Sequence, residues 1–106
     1  MAIQKRQVQI MGSSYYPGAG AQIARMKGGQ QLRVEREPNN EHDANAISVH
    51  IFNQQLGHFP RGFASEIAPL MDAGTTTVTA HKSRDPRFEG AGVIEVEWET
   101  EDDPCA

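Results

Sequence analysis

The sequence predicts a mainly β (α+β) domain: a small barrel or strongly curled sheet of five or six short strands, with one or two short helices around residues 61–73. Three observations lead there. Period-two alternation recurs at Gln31–Glu37, Ala46–Phe52 and Val93–Glu99. Clusters of Gly, Pro, Asn and Asp separate these runs and leave room only for short strands. One stretch switches to a helical period, with Phe63, Ile67, Leu70 and Met71 at i, i+4, i+7 and i+8. Short strands at this spacing bury one face by curling the sheet on itself.

Taken in order, the chain opens on a polar lead and a first strand at roughly Gln7 to Gly12. Gly12-Ser13-Ser14-Tyr15-Tyr16-Pro17-Gly18-Ala19-Gly20 reads as an irregular loop. In the strand Gln31–Glu37, Leu32 and Val34 face inward. In Ala46–Phe52, Ile47, Val49 and Ile51 face inward while Ser48 and His50 face solvent. Asn53-Gln54-Gln55 is a turn, and Leu56–Phe59 returns as the second arm of a hairpin. Pro60 precedes the helical stripe and Gly74 stops it. Pro69 does not suit a helix interior, so a kink or a junction of two short helices is expected near Ala68. Thr75–His81 is a strand, residues 82–92 form a loop carrying Lys82, Arg84 and Arg87, and a final strand turns Ile94, Val96 and Trp98 inward.

With 106 residues the chain makes one domain, residues 1–99, followed by an acidic tail at 100–106 that is expected to be disordered. A hydrophobic content of 38% and a charged content of 23% fit a soluble globular protein. No apolar run is long enough to span a membrane, and the N-terminus lacks the apolar core of a signal peptide. The single cysteine, Cys105, excludes an internal disulfide framework. A cytoplasmic location, with no membrane contact, is therefore expected. The formal charge of −4 disfavours unspecific electrostatic binding of nucleic acid. That charge is unevenly placed, because six of the fourteen acids lie between Glu95 and Asp103, leaving eight against ten Lys and Arg upstream.

The run Arg36-Glu37-Pro38-Asn39-Asn40-Glu41-His42-Asp43-Ala44-Asn45-Ala46-Ile47 stands out between two strands. Pro fixes one dihedral, and Asn and Asp bond their own backbone, so such a loop holds a shape without a core of its own. It either projects polar groups in fixed directions or is a long structural turn that satisfies only itself. The adjacent Tyr15 and Tyr16 point to opposite faces if extended, one into the core and one outward. An outward ring on a glycine-rich loop suits base stacking, and an inward one plugs the core.

Catalytic patterns are thin: there is no phosphate-binding glycine loop and no nucleophile elbow, and the chain is not expected to be an enzyme. His42 and Asp43 with His58 offer metal-ligand chemistry, but adjacent residues do not easily face one ion, so no metal or other cofactor is expected.

Four separated pieces resemble the HIRAN domain. They are Tyr15-Tyr16-Pro17-Gly18, Arg36 through Asn40 with Asp43-Ala44-Asn45-Ala46-Ile47, Leu56-Gly57-His58-Phe59-Pro60-Arg61, and Leu70-Met71-Asp72-Ala73-Gly74. Their order and spacing match over roughly Val8 to Trp98. The resemblance implies an OB-like β-barrel of the kind found at the start of DNA-remodelling ATPases and in stand-alone bacterial and phage proteins. It implies a module that captures single-stranded DNA at its 3′-hydroxyl end in DNA repair or replication, with a DNA-processing protein as a further partner.

Carried over by position, the resemblance has Tyr15 stack on a base with His42 as the second ring. Tyr16 belongs to the same nucleic-acid-binding set. Asp43 accepts from the free 3′ hydroxyl, Asn39 and Asn40 shape the loop or donate to phosphate or base, and His58 and Arg61 contact phosphates. His42 stands where those members carry a tyrosine, and Ser14 where they carry a basic residue, so weak, salt-sensitive binding is expected. The alternative is a protein-interaction or accessory module that uses the barrel edge or the acidic tail.

Overall fold

A computed structural model describes residues 2–74 and 76–100. The acidic tail from residue 101 onward lies outside the described residues. Six antiparallel strands form one sheet, β1 (Ala2–Gln9), β2 (Gln31–Arg36), β3 (Ile47–Ile51), β4 (Gln54–His58), β5 (Val78–Lys82) and β6 (Val93–Thr100), in the order β1-β6-β5-β2-β3-β4. Helix α1 (Ala19–Arg25) packs beside β4, and α2 (Arg61–Ala73) follows it. The mainly β, OB-like class is what the chain adopts, although the sheet is not closed by a full ladder. A single bridge ties its ends: Met11 N–H donates to the His58 carbonyl at 2.8 Å, and His58 N–H returns to Met11 at 2.9 Å.

The core shows why the alternating runs became strands. Ile47, Val49, Leu56, Ile94 and Val96 are fully buried from the inner face, and Phe63 and Ile67 of α2 pack onto them. Phe59, Phe63 and Trp98 stack in sequence, with ring centroids 5.1 and 5.6 Å apart. Among the described residues no helix is long and apolar enough to cross a membrane.

Several expectations are corrected. The polar lead is strand: β1 pairs with β6 along its whole length, from Ala2 opposite Thr100 to Gln9 opposite Val93. Pairing to an alternating neighbour overrides local propensity here. Its Arg6 lays a guanidinium over the rings of Phe63 and Trp98 and donates to Glu66 at 2.7 Å, so a charged residue roofs the core. The stretch after Gly18 contains α1, whose short stripe of Ala19 and Ile23 was hidden behind glycines. Helix α2 runs unbroken through Pro69, which is exposed along with Ser65, the residue whose carbonyl a proline cannot serve, so the missing helical bond falls on the solvent side of the helix. Ser48, expected to face solvent, is buried, its hydroxyl bonding the Glu35 carbonyl and the His50 ring. The β3–β4 turn falls at Phe52-Asn53, with Phe52 in a left-handed conformation.

Candidate nucleic-acid interface

The Pro-Asn loop is two turns joined by side-chain caps. Pro38 occupies the second position of a turn closed by Asn40 N–H donating to the Glu37 carbonyl at 3.1 Å. Asn40 Oδ1 then accepts from the backbone N–H of His42 (2.8 Å) and Asp43 (3.1 Å). Asp43 Oδ1 accepts from Asn45 N–H at 2.9 Å, and Ala46 N–H closes the second turn on the Asp43 carbonyl. The loop is clamped at its base by Arg36, which forks onto Asp72 of α2 through two 2.9 Å bonds and donates to the Ala46 carbonyl. That pairing holds the Arg36 pKa up and the Asp72 pKa down, chiefly through the side-chain hydrogen bonds.

The loop forms one wall of an open cleft of about 570 Å³; the 12–16 segment and the end of β4 form the others. Tyr15 and Tyr16 diverge. Tyr15 is 84% exposed and Tyr16 packs half-buried against the core. The Tyr16 hydroxyl lies 3.4 Å from His58 Nδ1, and burial, with Glu37 nearby, raises its pKa. His58 Nε2 sits 2.5 Å from Glu37 Oε1, so both ring nitrogens have partners inside the fold. Arg61 donates to the His42 carbonyl at 2.8 Å and keeps Nε 3.7 Å from Asp43 Oδ2.

Of the residues singled out from sequence, the structure brings Tyr15, Tyr16, Asn40, His42, Asp43, His58 and Arg61 into this cleft. Asn39 is exposed on the turn and does not line it. Sequence reading missed the lining by Met11, Gly12, Ala46 and Phe59, and it missed Glu37 as the partner of His58. Glu37 had a signal, its place inside the loop run, but alternation had assigned it to the outer face of β2. His42, Asp43 and His58 do not come together as metal ligands. Among the described residues the group with such geometry is His81, Glu95 and Glu97, on β5 and β6. A close contact of His81 Nε2 with Glu95 Oε1 (3.2 Å) and an ion pair of Lys5 with Glu97 (3.8 Å) account for that group.

Fold and site together define a small OB-like domain with an open cleft that brings together rings, a carboxylate and a guanidinium. The chain belongs to the HIRAN domain family, whose model matches residues 3–89. It is 37% identical over 65 residues to the mouse helicase-like transcription factor, covering 60% of this chain and only 6% of that protein's length. The crystal structure of the HIRAN domain of human HLTF is similar, with a TM-score of 0.71 at 23% identity over 92% of this chain and 77% of that one. The NMR structure of the HLTF HIRAN domain in its DNA-bound conformation gives a TM-score of 0.61 at 22% identity, over 95% and 78% of the two chains.

Proposed function

We propose that this chain is a non-catalytic module that captures single-stranded DNA at its 3′-hydroxyl end, in a repair or replication context. The observation that supports it most is the convergence, from separate parts of the chain, of an exposed ring (Tyr15), a second ring (His42), a hydroxyl acceptor (Asp43) and a cation (Arg61) in one cleft. The DNA-bound conformation of the similar HLTF HIRAN domain supports nucleic acid as the ligand.

Tyr15 and His42 offer stacking faces, which tolerate any base and contribute about 1–3 kcal/mol per base. Asp43 has one oxygen committed to Asn45, which leaves Oδ2 to accept from a 3′ hydroxyl. The same carboxylate repels a terminal phosphate, so it reads the chemistry of the end. Arg61 attracts the preceding phosphate. His58 is engaged on both sides and serves to fix Tyr16 and Glu37 beneath the cleft, so the phosphate contact falls to Arg61. Asn40 holds the loop in shape from within.

Fluorescence anisotropy with a short labelled oligonucleotide, carrying a 3′ hydroxyl or a 3′ phosphate, tests this at low and moderate salt. Tighter binding of the hydroxyl end, lost in Asp43→Ala, is the expected result. Absence of binding to either at low salt overturns it and turns attention to a protein partner.

A further inference from the structure

A second cleft, of about 520 Å³, opens where the C-terminal end of α1 meets the loop after β5. Arg25, Lys27, Lys82 and Arg84 line it, with Asp85 and Glu89 as the acidic members. Asp85 is already engaged: Arg87 forks onto both its oxygens at 2.7–3.1 Å. Among the described residues neither Lys27 nor Arg84 has a carboxylate partner, and both are exposed. The Arg84 guanidinium lies against the Gly28-Gly29 backbone, where a Cβ on Gly29 would come within 2.7 Å of its Nε. Glycine there lets the cation settle on the cleft wall.

Beneath them Lys82 is 1% exposed, and its ammonium donates to the Phe88 carbonyl at 2.8 Å rather than to a carboxylate. Burial lowers its pKa, with Glu89 opposing. A buried cation without an ion-pair partner adds positive potential to a concave site, which focuses the field on an anion.

We infer that this cleft holds backbone phosphates of the same DNA strand, a few nucleotides from the captured end; this rests on the reading above. The two clefts sit at opposite ends of α1, with Tyr16 just before it and Lys27 just after. At 1.5 Å per residue its seven residues span about 10 Å. A stacked strand advances about 3.4 Å per nucleotide, so about three nucleotides bridge the distance. Lys27 and Arg84 together supply the salt-sensitive part of the contact, and the first cleft reads the end.

The test compares 3′-hydroxyl oligonucleotides of roughly two and roughly twelve nucleotides, in the full chain and in the Lys27→Ser, Arg84→Ser double variant, with thermal melting as a check on folding. The long probe should bind on the order of tenfold tighter than the short one to the unaltered chain, with the double variant losing that gain and about 1.4 of the salt slope, near 0.7 per phosphate. Short-probe affinity should not change. Equal affinity for both lengths, or a length gain that survives the double variant, overturns the second cleft while leaving end capture standing. Failure of the unaltered chain to bind either probe at low salt sinks both.

Discussion

Arg61 Nε lies 3.7 Å from Asp43 Oδ2, close enough to offset its charge and too far to occupy its lone pairs with a hydrogen bond. The carboxylate oxygen is thereby left as an acceptor for a ligand hydroxyl. Asp43→Asn keeps an oxygen for Asn45 but puts an amide donor in place of Oδ2. Binding of a 3′-hydroxyl strand should fall by about tenfold to a hundredfold, since hydrogen bonds to charged groups contribute about 1.5–3 kcal/mol. Binding of a 3′-phosphate strand should rise, so the preference collapses when both are measured by anisotropy. Equal losses for the two ends would mean that Asp43 only shapes the loop.

Tyr15 and Tyr16 should separate affinity from stability. Tyr15 is 84% exposed and its hydroxyl makes no hydrogen bond to a described residue, so Tyr15→Ala should leave the melting temperature unchanged while costing about 1–3 kcal/mol of binding. Tyr15→Phe should bind like the unaltered chain. Tyr16→Ala removes a half-buried ring packed on the core and should lower stability by about 1–3 kcal/mol, read by urea denaturation. If Tyr15→Ala binds normally, the exposed ring is not a stacking platform.

The strands that alternate cleanly were legible because one face is buried and the other is not: Ile94, Val96 and Trp98 on β6, and Ile47, Val49 and Ile51 on β3, read from sequence as they sit. β1 was not legible, because what makes it a strand is the register with β6, a contact across more than eighty residues. α1 carries only two fully buried side chains, too few for a period to emerge. The site followed the same rule. Residues in dense local runs could be picked out, whereas Met11 and Phe59 enter the cleft through the Met11–His58 bridge that no local pattern encodes. Ser48 alternated outward yet is buried: His50 on the same face bonds its hydroxyl, and it lies between Glu35 of β2 and His58 of β4 in the register.

That bridge depends on Gly57. Its φ of 147° lies outside the range L side chains favour, and a Cβ there would come within 2.3 Å of the Met11 carbonyl oxygen. Backbone, unlike a flexible side chain, cannot step aside without breaking the two hydrogen bonds at His58. Gly57→Ala should therefore destabilise the chain by at least about 2 kcal/mol, counting backbone strain before any clash. It should also weaken strand capture, because Met11 and His58 line the cleft. A urea midpoint equal to that of the unaltered chain would show that the bridge is dispensable.

His50 sets a pH dependence that is independent of binding. Burial pushes its pKa below 6.5; Glu35 opposes the shift and Arg33 adds to it. The folded state thus disfavours the imidazolium, whose Nε2 already bonds the Ser48 hydroxyl at 2.8 Å. As pH falls through 6.5, the unfolded chain takes up this proton first. Because the unfolded state binds more protons in that window, stability rises with pH across it and is lost on the way down to the folded pKa. Urea midpoints at about pH 7.5 and about pH 5.5 should differ for the unaltered chain, with the lower value in acid. His50→Gln keeps a partner for Ser48 and removes the titration, so the gap should narrow. Because every other group remains in both proteins, the comparison isolates His50, and an undiminished gap in His50→Gln would assign the acid loss elsewhere.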